Sequence, residues 1–457
     1  MAKKKLGLFA CSAIVAGNMM GSGIALLPSN LAAIGSITII SWIIASFGAI
    51  CLAFVFAKLS ATDPQEGGPV GYAGEVAPIL GFQTGVLYFN ANWIGNLAIA
   101  ITGIAYLSMF FPVLNNPIPA GIATIVVIWL FAGLNLLGAN WIGKLVTVGV
   151  ILLLIPVTLT GIIGWWYFHP DIFIQNWNVT PNSSMHAIFS GVLLCIWSFI
   201  GVESAAVNAN LVNDPKKTIP KATMIGVGVA SVVYFLSCTA ISGMLPHGEV
   251  AHSGAPFSLV ASVVFGTVAG QVVSIIVAFA CLASLSSWMM LTAQAGARAA
   301  HDGSLPKVFG ELNSKDIPAK GLVITSIGMS LLMVFVMFGS GSAAGTFGEV
   351  ISIAVMMTIL PYFYSALNLI DVVEHPVKHL TITMTAIVAM LFCFAAYIGA
   401  ENYALIGVTI ISMAALIFYV RKDRESFERK VYRETHHWNI SNLDNDPKNE
   451  KLNNKEV

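Results

Sequence analysis

Long apolar stretches recur along the whole chain and constrain its fold more than any other feature. Each holds about 20 mainly apolar residues, the length that carries a helix across the hydrocarbon core of a membrane. Only 10% of the 457 residues are charged, whereas a soluble domain carries about 25%. The sequence therefore predicts an all-α integral membrane protein in contact with lipid.

Twelve such stretches can be delimited, at residues 8–34, 38–57, 82–111, 120–138, 145–168, 186–208, 222–245, 268–293, 321–339, 348–369, 380–398 and 403–420. Lys and Arg are absent from alternate joints, near residues 112–119, 169–185, 246–267, 340–347 and 399–402. Cationic joints are retained in the cytoplasm. We therefore expect twelve transmembrane helices in the cytoplasmic (inner) membrane, with both termini in the cytoplasm.

The first stretch contains a Gly-rich segment, Gly17 to Gly23 (GNMMGSG), at membrane depth. Three glycines and a serine would let the helix unwind there and free backbone N–H and C=O groups for a ligand. Gly17 and Gly21 also form a GxxxG pattern, so close packing between helices is the alternative explanation.

The sixth stretch contains Trp197 to Ser204 (WSFIGVES), in which Glu203 is the only acid deep within any of the twelve. A carboxylate at the bilayer centre costs ~3 kcal/mol even on the insertion scale. No Lys or Arg lies at comparable depth to pair with it. We predict that Glu203 faces a hydrated cavity and meets a cationic substrate or a proton; a structural pairing is the alternative.

The two interrupted stretches are five apart, which is typical of transporters built from inverted repeats with the binding site at the breaks. This pattern predicts one transporter domain at residues 1–420 and a polar cytoplasmic tail at 421–457. Within the domain, the first repeat would cover about 8–168 and the second about 186–369. Two additional helices would cover about 380–420.

Further polar and aromatic side chains could complete a pocket. Helical spacing puts Tyr88, Asn92, Asn96 and Ile99 on one face of the third stretch, and Thr358 and Tyr362 on one face of the tenth. Aromatic rings such as Trp197 and Trp288 attract ammonium groups, whereas free N–H groups at Ser22 and Gly23 suit a carboxylate. Together they predict a basic amino acid as ligand. Interhelical hydrogen bonds and packing are the alternatives.

Four segments carry a resemblance to a known family: Gly17 to Pro28 (GNMMGSGIALLP), Tyr88 to Asn96 (YFNANWIGN), Trp197 to Ala206 (WSFIGVESAA) and Asp214 to Pro220 (DPKKTIP). They resemble the basic amino acid/polyamine antiporters of the amino acid/polyamine/organocation (APC) superfamily, and within it the lysine/cadaverine exchangers most. The resemblance extends over residues 5–420.

The resemblance implies a five-plus-five inverted repeat of the APC/LeuT-like type, with helices 1 and 6 broken, plus two extra helices. It also implies exchange of external lysine for internal cadaverine, often by a homodimer. Coupled to a soluble amino-acid decarboxylase, this exchange would contribute to acid resistance. We expect no cofactor, no metal, no nucleic-acid partner and no enzymatic activity, because the chain shows no paired catalytic groups and no metal-ligand spacing.

By position, the resemblance implies a substrate site formed by Ser22, Gly23, Ala91, Asn92, Asn96, Trp197, Ile200, Glu203 and Trp288. It implies gate or path roles for Tyr72, Tyr88, Tyr234, Asp302 and Tyr362. Phe89 and Leu245 replace tyrosines of the lysine/cadaverine exchangers, and Asn92 replaces a cysteine of the arginine/agmatine exchangers. The last difference argues against arginine as the substrate. The alternatives are arginine/agmatine exchange, ornithine/putrescine exchange, proton-coupled polyamine uptake and a non-transporting amino-acid sensor.

Overall fold

A computed structural model describes residues 7–20, 23–62, 68–137, 142–204, 212–301, 303–339, 342–373 and 379–435. Within these ranges the chain is built from α-helices, as the apolar pattern predicts. In chain order they are α1 Leu8–Met20, α2 Leu27–Ala32, α3 Thr38–Thr62, α4 Pro69–Val76, α5 Pro78–Leu107, α6 Pro117–Leu136, α7 Ile142–Ile163, α8 Pro170–Gln175, α9 Ser184–Phe199, α10 Pro215–Met244, α11 His247–Ala251, α12 Pro256–Phe265, α13 Thr267–His301, α14 Ala319–Val336, α15 Ala343–Val372, α16 Leu380–Ile398 and α17 Asn402–Thr435.

Local sequence explains where many of these helices begin. A proline occupies the first turn of α2, α4, α5, α6, α8, α10 and α12, where its fixed φ fits and its missing N–H is not needed. Serine side chains cap two others. The Ser183 hydroxyl accepts the backbone N–H of His186 at the start of α9, and that of Ser342 accepts the N–H of Gly345 at the start of α15.

Nine helices among the described residues are long and apolar enough to cross a membrane: Thr38–Thr62, Pro117–Leu136, Thr147–Tyr167, Pro215–Met244, Thr267–His301, Ala319–Val336, Ala343–Val372, Leu380–Ile398 and Asn402–Arg421. Each coincides with one of the twelve predicted stretches. The other three predicted stretches correspond to α1 with α2, to α5 and to α9. The count of twelve therefore stays a prediction.

These three stretches differ from the nine for physical reasons. Helix α1 ends at Met20 after 13 residues, and α9 ends at Phe199 after 16 residues. Both are shorter than the roughly 20 residues that a span requires. Helix α5 has 30 residues, but amide side chains such as Gln83, Asn92 and Asn96 lower its hydropathy. These three stretches thus contain the helix ends and the polar side chains from which the sequence predicts the substrate site.

The chain divides into two compact units, Met1–Ser412 and Met413–Val457. The first holds α1 to α16 and the beginning of α17, and the second holds the rest of α17. In the first unit α5 packs against both α13 and α15, and α1 packs against α10. Because α13 and α15 both pack against α5, the polar faces predicted on α13 and α15 lie close to that of α5.

A glycine turn joins the segment after α2 to the loop before α9. Gly35 has φ +116°, a backbone conformation that side chains with a Cβ rarely adopt. Around it, the Ser36 N–H donates to the Asn176 carbonyl at 2.8 Å, and the Ile37 N–H donates to the Trp177 carbonyl at 2.8 Å. A Cβ at Gly35 would lie 2.5 Å from the Asn176 oxygen. Glycine is therefore required at this position.

Replacing Gly35 by alanine is expected to destabilise the protein by about 1–3 kcal/mol, because the backbone must leave a left-handed conformation or the loop must move. The fluorescence-monitored Tm of the purified protein should fall. Gly228→Ala is the matched control, since a Cβ there meets nothing within 4 Å and alanine favours a helix. Equal Tm values for both variants would show that the Gly35 turn contributes nothing to stability.

Candidate functional site

A cavity lies where the ends of α1 and α9 meet the middle of α5, α13 and α15. Its lining consists of Met19, Gly23, Ala91, Asn92, Gly95, Asn96, Ile99, Trp197, Ile200, Trp288 and Thr358. Seven of the nine residues predicted for the substrate site are among them. Ser22 lies outside the described residues, and Glu203 is not part of the lining. Residues from five separate helices or helix ends thus come together in one place.

A described helix ends inside each segment that the sequence marked as interrupted, and α1 ends at Met20. Helix α9 ends at Phe199, Ile200 is extended, and Gly201 has φ +108°. After α1, the backbone at Gly23 passes close to α9. A Cβ at this glycine would lie 2.7 Å from the Met19 carbonyl oxygen and 3.2 Å from the Ser198 Cα. The two segments therefore pack directly on each other beside the cavity.

The Trp197 indole forms one wall of the cavity. Its ring stands edge-on to the Phe347 ring, with 6.3 Å between centroids, and it lies over Gly95. A Cβ at Gly95 would come within 3.0 Å of the indole Cη2, so a glycine there leaves room for the ring. The buried indole N–H has no hydrogen-bond partner among the described residues. It can therefore donate to a ligand.

Asn96 carries a buried acceptor, as Trp197 carries a buried donor. Its Nδ2 donates to the Thr292 Oγ1 at 3.0 Å, which fixes the orientation of the amide between α5 and α13. Its Oδ1 is buried, and no partner for it is found within the described part of the chain. Buried polar atoms are rarely left unsatisfied. Trp197 and Asn96, which line the cavity together with Trp288, thus each hold a buried polar atom without a hydrogen-bond partner among the described residues.

The carboxylate of Glu203 is held by hydroxyl groups. Its Oε1 accepts from the Tyr88 hydroxyl at 2.6 Å, and its Oε2 accepts from the Tyr362 hydroxyl at 2.6 Å. The backbone N–H of Gly201 donates to Oε2 at 3.2 Å. The side chain is 1% exposed, and no ion pair found in the described part of the chain includes it. Hydrogen bonds therefore replace the cationic partner that the sequence lacks.

The three side chains of Glu203, Tyr88 and Tyr362 form a layer next to the cavity, which we call the carboxylate layer. Tyr88 precedes Asn92 by four residues on α5, and Tyr362 follows Thr358 by four residues on α15. Four residues are about one helical turn, or roughly 5.4 Å. Glu203 consequently lies one turn beyond the lining and is enclosed by tyrosines rather than facing open space. Direct contact between Glu203 and a ligand remains a prediction from the sequence alone, and this position favours a role beside the cavity instead.

The remaining predicted gate residues lie in two different places. The Tyr72 hydroxyl is 3.2 Å from the Ser60 Oγ, and its ring is 6.4 Å from that of Phe56. The Phe56 ring in turn stands edge-on to Tyr362 at 5.5 Å, so Tyr72 extends the carboxylate layer.

Tyr234 lies elsewhere, in an aromatic cluster with Trp42 and Phe199. Its ring is 5.7 Å from each of theirs. The cluster supports the end of α9 and does not contribute to the cavity lining. Asp302 lies outside the described residues.

Two lining residues were not predicted from the sequence. Gly95 lies four residues after Ala91 on the same face of α5, so helical periodicity could have found it. Met19 lies inside the Gly-rich segment that was singled out, but no feature distinguishes it there from Met20.

Comparison with known proteins gives a consistent result. Residues 6–421 match the model of the amino acid permease family. The cadaverine/lysine antiporter of Escherichia coli (strain K12) is 51% identical over 425 residues, which cover 92% of this chain and 96% of that protein. The putrescine transporter PotE of the same organism is 31% identical over 423 residues, covering 91% and 95%. PotE of Haemophilus influenzae is 31% identical over 420 residues, covering 91% and 96%.

These relatives are named as transporters and not as enzymes. The match covers nearly the whole chain, and the described helices include nine that could span a membrane. The chain is a multi-pass membrane protein and belongs to the amino acid permease family.

Proposed function

We propose that the protein is an antiporter that imports lysine and exports cadaverine by alternating access. The observation that carries this proposal is the cavity lined by Trp197 and Trp288; two of its lining residues, Trp197 and Asn96, each hold a buried polar atom without a partner among the described residues. The 51% identity to a cadaverine/lysine antiporter supports the choice of substrates.

Both ends of lysine find suitable groups in this cavity. Indole faces attract an ammonium group without requiring a fixed ion pair, and the Asn96 Oδ1 can accept one of its N–H bonds. Backbone N–H groups near Gly23 and the Trp197 indole N–H can donate to the substrate carboxylate. Cadaverine lacks that carboxylate but keeps two ammonium groups. The same aromatic walls therefore suit both substrates.

We propose that the carboxylate layer is a gate that responds to charge. An ionised Glu203 accepts both tyrosine hydroxyls, which keeps α5 and α15 together below the cavity. Protonation of the Glu203 carboxylate would turn one of its acceptor oxygens into an O–H donor. The tyrosine hydroxyl that donates to this oxygen would then be released. A cationic substrate arriving one turn away would likewise compete for the negative charge. Either event would loosen the layer.

The finer architecture follows the same proposal. We infer twelve spans with helices 1 and 6 broken at the ends of α1 and α9, arranged as five-plus-five inverted repeats at about 8–168 and 186–369. Additional helices would follow at about 380–420, and residues 421–457 would form a cytoplasmic tail. Both termini would lie in the cytoplasm and the protein in the inner membrane, surrounded by lipid and often paired as a homodimer.

Charge balance links the exchange to acid resistance. Lysine carries one net positive charge and cadaverine carries two, so each cycle moves one positive charge out of the cell. A soluble decarboxylase that makes cadaverine from lysine consumes a proton. We propose that the two activities together remove acid from the cytoplasm.

A second candidate is ornithine/putrescine exchange, which the 31% identity to putrescine transporters favours. The two substrate pairs differ by one methylene in chain length. Such a difference is worth only about 1–3 kcal/mol in an apolar pocket. Transport measurements must therefore decide between them.

Exchange can be tested in proteoliposomes loaded with cadaverine and given labelled lysine, arginine or ornithine outside. We expect rapid lysine uptake that requires internal cadaverine, with slower uptake of the other two. Because positive charge leaves the vesicle, an inside-positive potential should accelerate it. Equal uptake into empty vesicles would contradict the exchange mechanism, and a preference for ornithine would assign the second candidate.

Glu203→Gln is expected to lose most of the exchange activity while the protein keeps its elution volume and Tm. The amide keeps the size of the side chain but removes the charge that holds both tyrosine hydroxyls. Glu249→Gln is the matched control, because Glu249 is exposed on α11. Wild-type exchange by Glu203→Gln would mean that the carboxylate is only structural.

Trp197→Leu and Trp288→Leu are each expected to weaken binding of lysine by ~1–2 kcal/mol, because the ring face that attracts the ammonium is lost. The half-saturation concentration should then rise roughly 5- to 30-fold. Trp166→Leu serves as the control, since this indole is exposed on the outside of the helices. An unchanged half-saturation concentration in the first two variants would make these rings packing residues.

A further inference from the structure

A second cavity lies away from the substrate site, between α7, α12 and α13. It measures about 310 Å³ and is lined by side chains of all three helices. Among the fifteen lining residues, Thr160 is the one with a polar side chain. The innermost lining residues, such as Phe257 and Val260, are buried. The cavity is thus an apolar groove, and the proposed exchange makes no use of it.

Water is a poor occupant of this groove. A buried water needs two to four polar partners, and apolar cavities of about 150 Å³ stay dry and bind hydrocarbons. The present groove is about 310 Å³, so it leaves a large apolar surface uncovered. Empty space of this size also removes dispersion contacts from the surrounding side chains.

The side chains at the mouth of the groove show what surrounds it. Ile155 and Leu159 on α7, Phe265 on α12 and Val272 on α13 line the groove and are also exposed. Helices α7 and α13 are among the candidate membrane spans. Exposed apolar side chains on such spans, as at Ile155 and Leu159 in the middle of the span Thr147–Tyr167, face hydrocarbon. The groove therefore opens towards the acyl chains of the bilayer.

The geometry points to a binding site for one acyl chain of a membrane lipid in this groove. Lining residues on α7 run from Ile155 to Ile163, which is about 12 Å at 1.5 Å per residue. The groove is therefore long enough for an extended segment of a hydrocarbon chain. A chain seated there packs α7 against α12 and fills the space between them.

The bound chain also supports a segment that touches the substrate path. Helix α12 is attached to α13 by the hydrogen bond from the Ser258 Oγ to the Gly270 carbonyl. The chain just before α12 accepts a hydrogen bond from α2, where the Ser29 Oγ donates to the Ser253 carbonyl at 2.8 Å. Helix α2 begins four residues after Gly23, which lines the substrate cavity.

The site can be tested with the intact protein in liposomes of phosphatidylethanolamine and phosphatidylglycerol. These vesicles contain a small share of phosphatidylcholine with a photoactivatable diazirine in its acyl chain. After irradiation, labelled peptides are mapped by mass spectrometry. We expect several-fold more label on the groove walls than around Phe335, exposed near the end of α14, and Phe338, exposed just beyond it. Equal labelling of both regions would overturn the proposal.

Filling the groove provides the second measurement. Ala269→Phe places a ring in the space, because Ala269 lines the groove, and should reduce the groove label several-fold. Val263→Phe is the control on α12, since Val263 is exposed and outside the lining. If Ala269→Phe does not fold, Ala261→Leu fills the same groove with a smaller side chain. Undiminished label in a folded, filled variant would contradict the site.

This test is independent of the substrate assignment. Labelling reports where the acyl chain lies whether or not the protein exchanges lysine for cadaverine. A negative exchange assay would not contradict the lipid site in the groove, and equal labelling of both regions would not contradict lysine/cadaverine exchange.

Discussion

A carboxylate buried within a membrane protein, without a cationic partner among the described residues, is the constraint on which the site depends. Placing an acid at membrane depth costs about 3 kcal/mol or more, while hydrogen bonds to charged groups contribute about 1.5–3 kcal/mol each. Glu203 accepts two tyrosine hydroxyls and one backbone N–H. These three bonds offset the cost of burial. They also join α5, α15 and the segment after α9 at one point.

The same helices carry the cavity one turn away, so the two sites are mechanically connected. Asn92 and Tyr88 lie on one face of α5, and Thr358 and Tyr362 lie on one face of α15. A ligand that displaces the lining moves the tyrosines as well, because a helix transmits displacement along its axis. In the proposed mechanism, the aromatic walls bind the substrate and the carboxylate forms the gate. A cavity without its own fixed ion pair can also release a cation, as every transporter must.

The sequence could predict which residues share a helix face, but not which helices are neighbours. Helical spacing correctly grouped Asn92 with Asn96, and Thr358 with Tyr362. The packing of Gly95 under the Trp197 ring joins two helices that are distant in sequence, and no local pattern indicates it. The partners of Glu203 were missed for a related reason. The sequence shows no Lys or Arg at comparable depth, whereas hydroxyl groups from two other helices hold the carboxylate. Nine of the twelve predicted stretches coincide with described helices long and apolar enough to span a membrane. The other three, at α1, α5 and α9, are those where polar residues and helix ends build the site.

A structure of the protein with lysine bound tests the central claim most directly. We expect the aliphatic chain and ammonium group of lysine between the Trp197 and Trp288 rings, with its carboxylate at the backbone near Gly23. Glu203 should remain within the carboxylate layer, without direct contact to the ligand. A lysine ammonium paired with the Glu203 carboxylate, or a ligand bound outside this cavity, would contradict the division between binding site and gate.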